Sequence, residues 1–258
     1  MTDRPNRARF RALLLLLAPS SLIPICTPAA VPDLSLQLVR EISLKKSGSY
    51  PDLIASWSRR HGSRAVTPLL KIAENGKFDE KTRSIALLGA AQLARARAEG
   101  PVGRGISRLL RDRSWLVRLS AIKGLDVIGP SGSADAIAER LRDPALVVRS
   151  EAADSLLHLA RTSSSPPGEK VLRLLAGTLT ETENYAQGRA LWVPRRALDA
   201  LTAWKAKSQL QTIALLLNHS GDPELVSHAI QSLEKISGEP RGRIAAAEWK
   251  ARLGVGRR

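Results

Sequence analysis

Five alanines recur in matching surroundings along this 258-residue chain: Ala86, Ala121, Ala152, Ala197 and Ala229, at spacings of 35, 31, 45 and 32 residues. Around them stand "TRSIALLGAAQLA", "VRLSAIKGLDVIG", "VRSEAADSLLHLA", "PRRALDALTAW" and "LVSHAIQSLEKISG", each with apolar residues at helical spacing. A second apolar segment precedes each one: "AVTPLLKIAEN" (65–75), "GISRLLRD" (105–112), "ADAIAERLRD" (134–143), "EKVLRLLAGTL" (169–179) and "SQLQTIALLLN" (208–218). Turn signals separate them, with "GP" at 129–130, "SSSPPG" at 163–168 and "SGDP" at 220–223. Self-similarity at such a period marks a repeat architecture. One helix pair cannot bury its own apolar face, so neighbouring pairs must complete the core. The pattern therefore predicts an all-α chain, an α-solenoid of stacked antiparallel helix pairs.

Composition agrees with helices. Aromatic residues are only 3% of the chain, so its 43% hydrophobic content is mostly aliphatic. It is rich in Leu and Ala, which lose little side-chain freedom on entering a helix.

Two of the five units share a tighter signature: "DRSWLVR" at 112–118 and "DPALVVR" at 143–149. The recurring Asp112, Val117, Arg118 and Asp143, Val148, Arg149 resemble the HEAT repeat in its short bacterial form, with an armadillo-type superhelix as the implied fold. The resemblance implies that the Asp closes the first helix, the Arg opens the second, and Asp112, Arg118, Asp143 and Arg149 form a ladder of ion pairs. In that reading Arg118 and Arg149 are partly buried partners of Asp112 and Asp143. Arg83 fits the Arg position, Pro194 and Val226 depart from it, and Asp222 lies two residues too close to Ala229. The domain reading is a leader at 1–30, N-terminal capping helices at 31–62, about five HEAT-like pairs at 63–238, and a capping helix with a basic tail at 239–258. Trp249 is expected on the apolar side of that last helix.

The leader has a basic start, an apolar run from Ala12 to Ala18, and Pro19 and Pro24 beyond it. This order matches a secretory signal peptide, and the run is far shorter than the ~20 apolar residues of a membrane span. Two routes of processing stay open: cleavage near "TPA" (27–29), or lipidation of Cys26 in "LIPIC", which resembles a lipoprotein box except for the bulky Ile25. The expectation is an exported, periplasmic or envelope-associated protein, attached to a membrane only if Cys26 is lipidated. Cys26 is the one cysteine, which excludes an intramolecular disulfide and cysteine-paired zinc sites.

Motifs for catalysis are missing. No HExxH, CxxC or nucleophile elbow occurs, and the four histidines fall in different segments. His158, in "LLHLA", reads as a core histidine; His219 and His228 have no carboxylate at ligand spacing. "GPVGRG" (100–105) follows a helix rather than a strand, so it reads as a turn between repeats. No catalytic, cofactor or metal site is expected.

Two places suit a partner. The long spacing contains "ETENYAQGRALW" (181–192), either a plain surface insertion or a binding loop, with Tyr185, Arg189 and Trp192 as contact residues. Residues 95–149 carry a net charge of +5, including Arg104, Arg108 and Arg111, as either a solvated face or a basic groove. The whole chain carries +16, and +13 remains beyond residue 26, which favours an anionic partner. The leading expectation is a non-catalytic scaffold that binds a protein or an anionic envelope polymer. Alternatives are a subunit resembling the phycobilisome chromophore lyases, or a nucleic-acid-binding HEAT-like protein, which export would disfavour.

Overall fold

The computed structural model describes residues 33–45, 50–95, 100–129, 133–163 and 165–256. The leader, Cys26 and both processing routes lie outside the described residues. The described chain is predominantly helical, with two strands of two residues each.

Two helices open it, α1 (Leu34–Leu44) and α2 (Tyr50–His61). Five pairs come next: α3 (Val66–Glu74) with α4 (Glu80–Ala94), α5 (Pro101–Leu109) with α6 (Trp115–Ile128), and α7 (Ala134–Ala138) with α8 (Leu146–Thr162). Then come α9 (Glu169–Thr178) with α10 (Trp192–Ala203), and α11 (Leu210–Leu215) with α12 (Pro223–Ser237). The short α7 and α11 are extended by 3-10 turns at Glu139–Arg142 and Leu216–Asn218. Helix α13 (Ala246–Leu253) closes the chain and buries Trp249.

Within each pair the two helices pack together, and each second helix packs on the next, α4 on α6, α6 on α8, α8 on α10 and α10 on α12. The five register alanines are all fully buried on these second helices. Close approach also explains the small residues three positions later. A Cβ on Gly89 would lie 2.8 Å from the Trp57 ring, and one on Gly124 would lie 3.1 Å from Leu87. Glycine costs a helix interior about 0.5–1 kcal/mol relative to alanine, so here neighbouring packing decides the residue.

Buried arginines cross the boundaries between pairs. Arg83 on α4 pairs with Asp112, and Arg118 on α6 binds Asp143 through two bonds of 2.7 Å. Arg118 also donates to the carbonyls of Asp112 and Arg113 at 2.8 and 3.1 Å. Each arginine thus bonds its carboxylate partner in the following pair. The Asp112 side chain does not face Arg118, the arrangement the resemblance suggested, because it is turned toward Arg83 on the preceding side. Asp143 is 2% exposed. Burial pushes its carboxyl up, but the Arg118 hydrogen bonds, the Ala145 N–H and the charges of Arg118 and Arg140 outweigh this and hold it below its ordinary value.

The next boundaries differ. Among the described residues Arg149 meets no carboxylate: it donates to Asn184 Oδ1 at 3.0 Å and to the carbonyls of Asp143, Pro144 and Glu183. At the last boundary Arg195 reaches Asp222 at 3.0 Å. Asp222 is fully buried and caps α12, accepting from Leu225 N–H at 3.0 Å. Asp112 and Asp143 instead accept from the N–H two residues on, at Ser114 and Ala145. A cap residue stands two positions later than such a turn residue, which accounts for the shifted position of Asp222.

Two local expectations are corrected. "GPVGRG" is not a turn: Pro101 opens α5, where its missing N–H costs nothing, and the segment is the helix's first turn. His158 is not in the core; its side chain is 57% exposed, because residue 158 falls on the solvent stripe of α8.

Candidate functional site

On four of the five second helices, residues spaced by three, four or seven share one exposed stripe; α4 departs from this, with Ile85 buried at the corresponding place. On α6 it runs Trp115, Leu119, Lys123, Asp126; on α8, Val147, Glu151, Asp154, His158; on α10, Trp192, Arg196, Asp199, Ala203; and on α12, Glu224, His228, Gln231, Lys235. These side chains are exposed or half-buried.

The middle of the stripe is charge-paired from helix to helix. Lys123 meets Glu151 at 3.0 Å, Arg196 meets Asp154 at 3.0 Å, and His228 meets Asp199 at 2.9 Å. In every case one partner stands two residues after its register alanine and the other one residue before the next. Sequence reading overlooked this second set of pairs, although the alanine register contained the signal. Being partly exposed, such pairs contribute only about 0–1 kcal/mol each. Their role is to align neighbours and satisfy charge. His158 joins them through Asp126 at 2.9 Å.

The first turns are different. Trp115 on α6, Leu146 and Val147 on α8, and Trp192 on α10 are 40–49% exposed. Trp192 is held in place: its indole N–H donates to Asp154 at 2.8 Å, and the Arg196 guanidinium lies 3.9 Å over its ring. Three successive second helices therefore present large apolar side chains at corresponding places, above a band of satisfied charges.

The insertion is not a free loop. Tyr185–Ala186 pairs antiparallel with Arg189–Ala190 across a turn at Gln187 and Gly188, both at positive φ. Asn184 is fully buried, and Tyr185 is half-buried. Tyr185 donates its hydroxyl to the Leu179 carbonyl and stacks on His219 at 4.9 Å. Burial, with the nearby charge of Asp222, pushes the phenol up to about 12, so it stays a donor. Arg189 is exposed and faces Glu224 at 3.5 Å. Of the three residues named in the insertion, Trp192 alone belongs to the exposed apolar set.

The central arginines lie elsewhere, Arg104 and Arg108 on α5 and Arg111 in the turn just past its end. Arg108 pairs with Glu74 at 2.8 Å and Arg111 with Glu139 at 3.6 Å, while Arg104 is exposed on α5. Among the described residues no three His, Cys, Asp or Glu side chains are grouped to hold a metal, and no helix is long and apolar enough to cross a membrane.

No family model matches the chain, and no curated protein matches it. One solved structure, a crystal structure of an engineered protein, is similar over 78% of this chain and 97% of its own, with 19% identity and a TM-score of 0.48.

Proposed function

We propose that the chain is a non-catalytic binding scaffold: an α-solenoid of HEAT-like helix pairs that offers the exposed stripe of its second helices to a protein partner. The observation that carries this reading is the apolar set Trp115, Leu146, Val147 and Trp192, exposed on the first turns of three successive second helices. Large apolar and aromatic side chains held out in water contribute to folding poorly where they stand and are the usual anchors of protein interfaces. The basic and apolar leader supports export before the partner is met. The arginines at 108 and 111 support a polyanion-binding role less, since carboxylates of neighbouring units already face them.

The test is site-specific photo-crosslinking in the native envelope. A photoreactive residue at 115, 147 or 192 should trap the same polypeptide, and one at Arg173, exposed on α9, should not. Val147→Glu should abolish trapping from 115 and 192 while leaving the fold intact. Equal trapping from all four positions, or none from the stripe, would contradict the proposal.

A further inference from the structure

A pocket of about 480 Å³ opens between α8, α10 and α12, near their C-terminal ends. This is within the range of roughly 300–1,000 Å³ common for small-molecule sites. Arg161 from the last turn of α8, Lys205 just past α10, and Lys235 from the last turn of α12 line it. Among the described residues none of these three makes an ion pair. The carboxylate that lines the same pocket, Asp199, is already engaged by His228 at 2.9 Å and by Arg196 at 3.7 Å. Three like charges therefore converge on one concavity against a single carboxylate, Asp199, whose charge also reaches Arg161 but which is hydrogen-bonded by His228, so the concavity keeps a positive excess.

Lys205 is the telling member. Helices α12 and α13 end at Gly238 and Gly254, both left-handed, with the following N–H returning to the carbonyl five residues earlier, Glu239 to Glu234 and Val255 to Lys250. Helix α10 ends the same way, Ala206 returning to Leu201, but a lysine holds the left-handed position at φ 52. Glycine adopts this conformation freely and lysine does not. The chain uses glycine twice and departs from it where the side chain lines the pocket. Cations at helix C-termini also favour the local dipole, which accounts for Arg161 and Lys235 but not for the strained backbone at Lys205.

We propose that this pocket binds a small free anion of the phosphate class carrying at least two negative charges. The pocket shares Asp199, Ala203, His228, Gln231 and Lys235 with the far end of the exposed stripe, but the proposal does not rest on the apolar first turns that carry the partner reading. Calorimetric titration of the full chain with inorganic pyrophosphate, against sodium chloride at matched ionic strength, tests it. Saturable 1:1 binding is expected. Lys205→Gly should raise the melting temperature by relieving the backbone, yet weaken pyrophosphate binding at least ten-fold. Arg161→Gln and Lys235→Gln should each weaken it too, and Arg104→Gln on α5 should leave it unchanged. Heats no larger than those of chloride, unaltered affinity in Lys205→Gly, or equal weakening in Arg104→Gln would each overturn the proposal.

Discussion

Between α6 and α8 a buried arginine meets a buried carboxylate; between α8 and α10 an equally buried arginine meets an amide and three carbonyls. Arg118 and Arg149 are 8% and 6% exposed, so burial does not distinguish them. The difference lies in the connection each arginine faces. Asp143 is supplied by a short turn between α7 and α8, whereas the longer connection between α9 and α10 brings Asn184 to the arginine. That amide has two obligations: its oxygen accepts from Arg149, and its nitrogen donates to the Thr178 carbonyl at 3.3 Å and to Glu181 at 3.4 Å. An aspartate can only accept. The boundary thus keeps the arginine and exchanges the charge for a group that also secures the hairpin.

The largest effect should come from Asp143→Ala. It leaves Arg118 buried without its carboxylate, a loss of about 3–5 kcal/mol measured by denaturant unfolding. The same carboxylates give a sign for acid. Asp112, Asp143 and Asp222 are held below their ordinary values, in each case because hydrogen bonds and cations outweigh burial. Their contribution is complete above the unfolded value of about 3.9 and is lost as pH falls through the folded values. Thermal melts should therefore drop below about pH 4, and more shallowly in Asp143→Asn.

Arg149→Ala should cost less, about 1.5–3 kcal/mol, because it removes charge-assisted bonds but strands no opposite charge. Asn184→Asp sharpens the comparison further. It places a carboxylate beside Arg149 yet faces the Thr178 carbonyl and Glu181 with no donor, so a net loss of about 1 kcal/mol is expected, not a gain. A stabilised variant would show that the charge, not the donor, is what this boundary lacks. The smallest effect belongs to Arg108→Ala and Arg111→Ala. With side chains 73% and 79% exposed, each should change stability by about 0–1 kcal/mol.

Much of the helical arrangement was legible from the register alanines, since a position that must be buried in every unit tolerates little but a small residue. Asp112, Asp143 and their arginines stood out because a short turn fixes their spacing. Asp222 did not, because a capping residue and a turn residue deliver a carboxylate to similar places from different positions. Asn184 was hidden by the hairpin, whose length breaks the period. His158 was misplaced because its neighbours in "LLHLA" are apolar on the other faces of α8, and a window of five residues cannot show which face points outward. The exposed tryptophans were legible as residues but not as a set, since Trp115 and Trp192 come together only through the packing of α6, α8 and α10.

A double-mutant cycle tests the central claim, that each arginine takes its side-chain partner from the next unit and only backbone carbonyls from its own. Arg118→Ala is combined with Asp143→Ala and, separately, with Asp112→Ala, and all variants are unfolded in denaturant. The account predicts a coupling of about 2–3 kcal/mol between Arg118 and Asp143, and no more than about 0.5 kcal/mol between Arg118 and the Asp112 side chain. A coupling with Asp112 equal to or larger than that with Asp143 would contradict it.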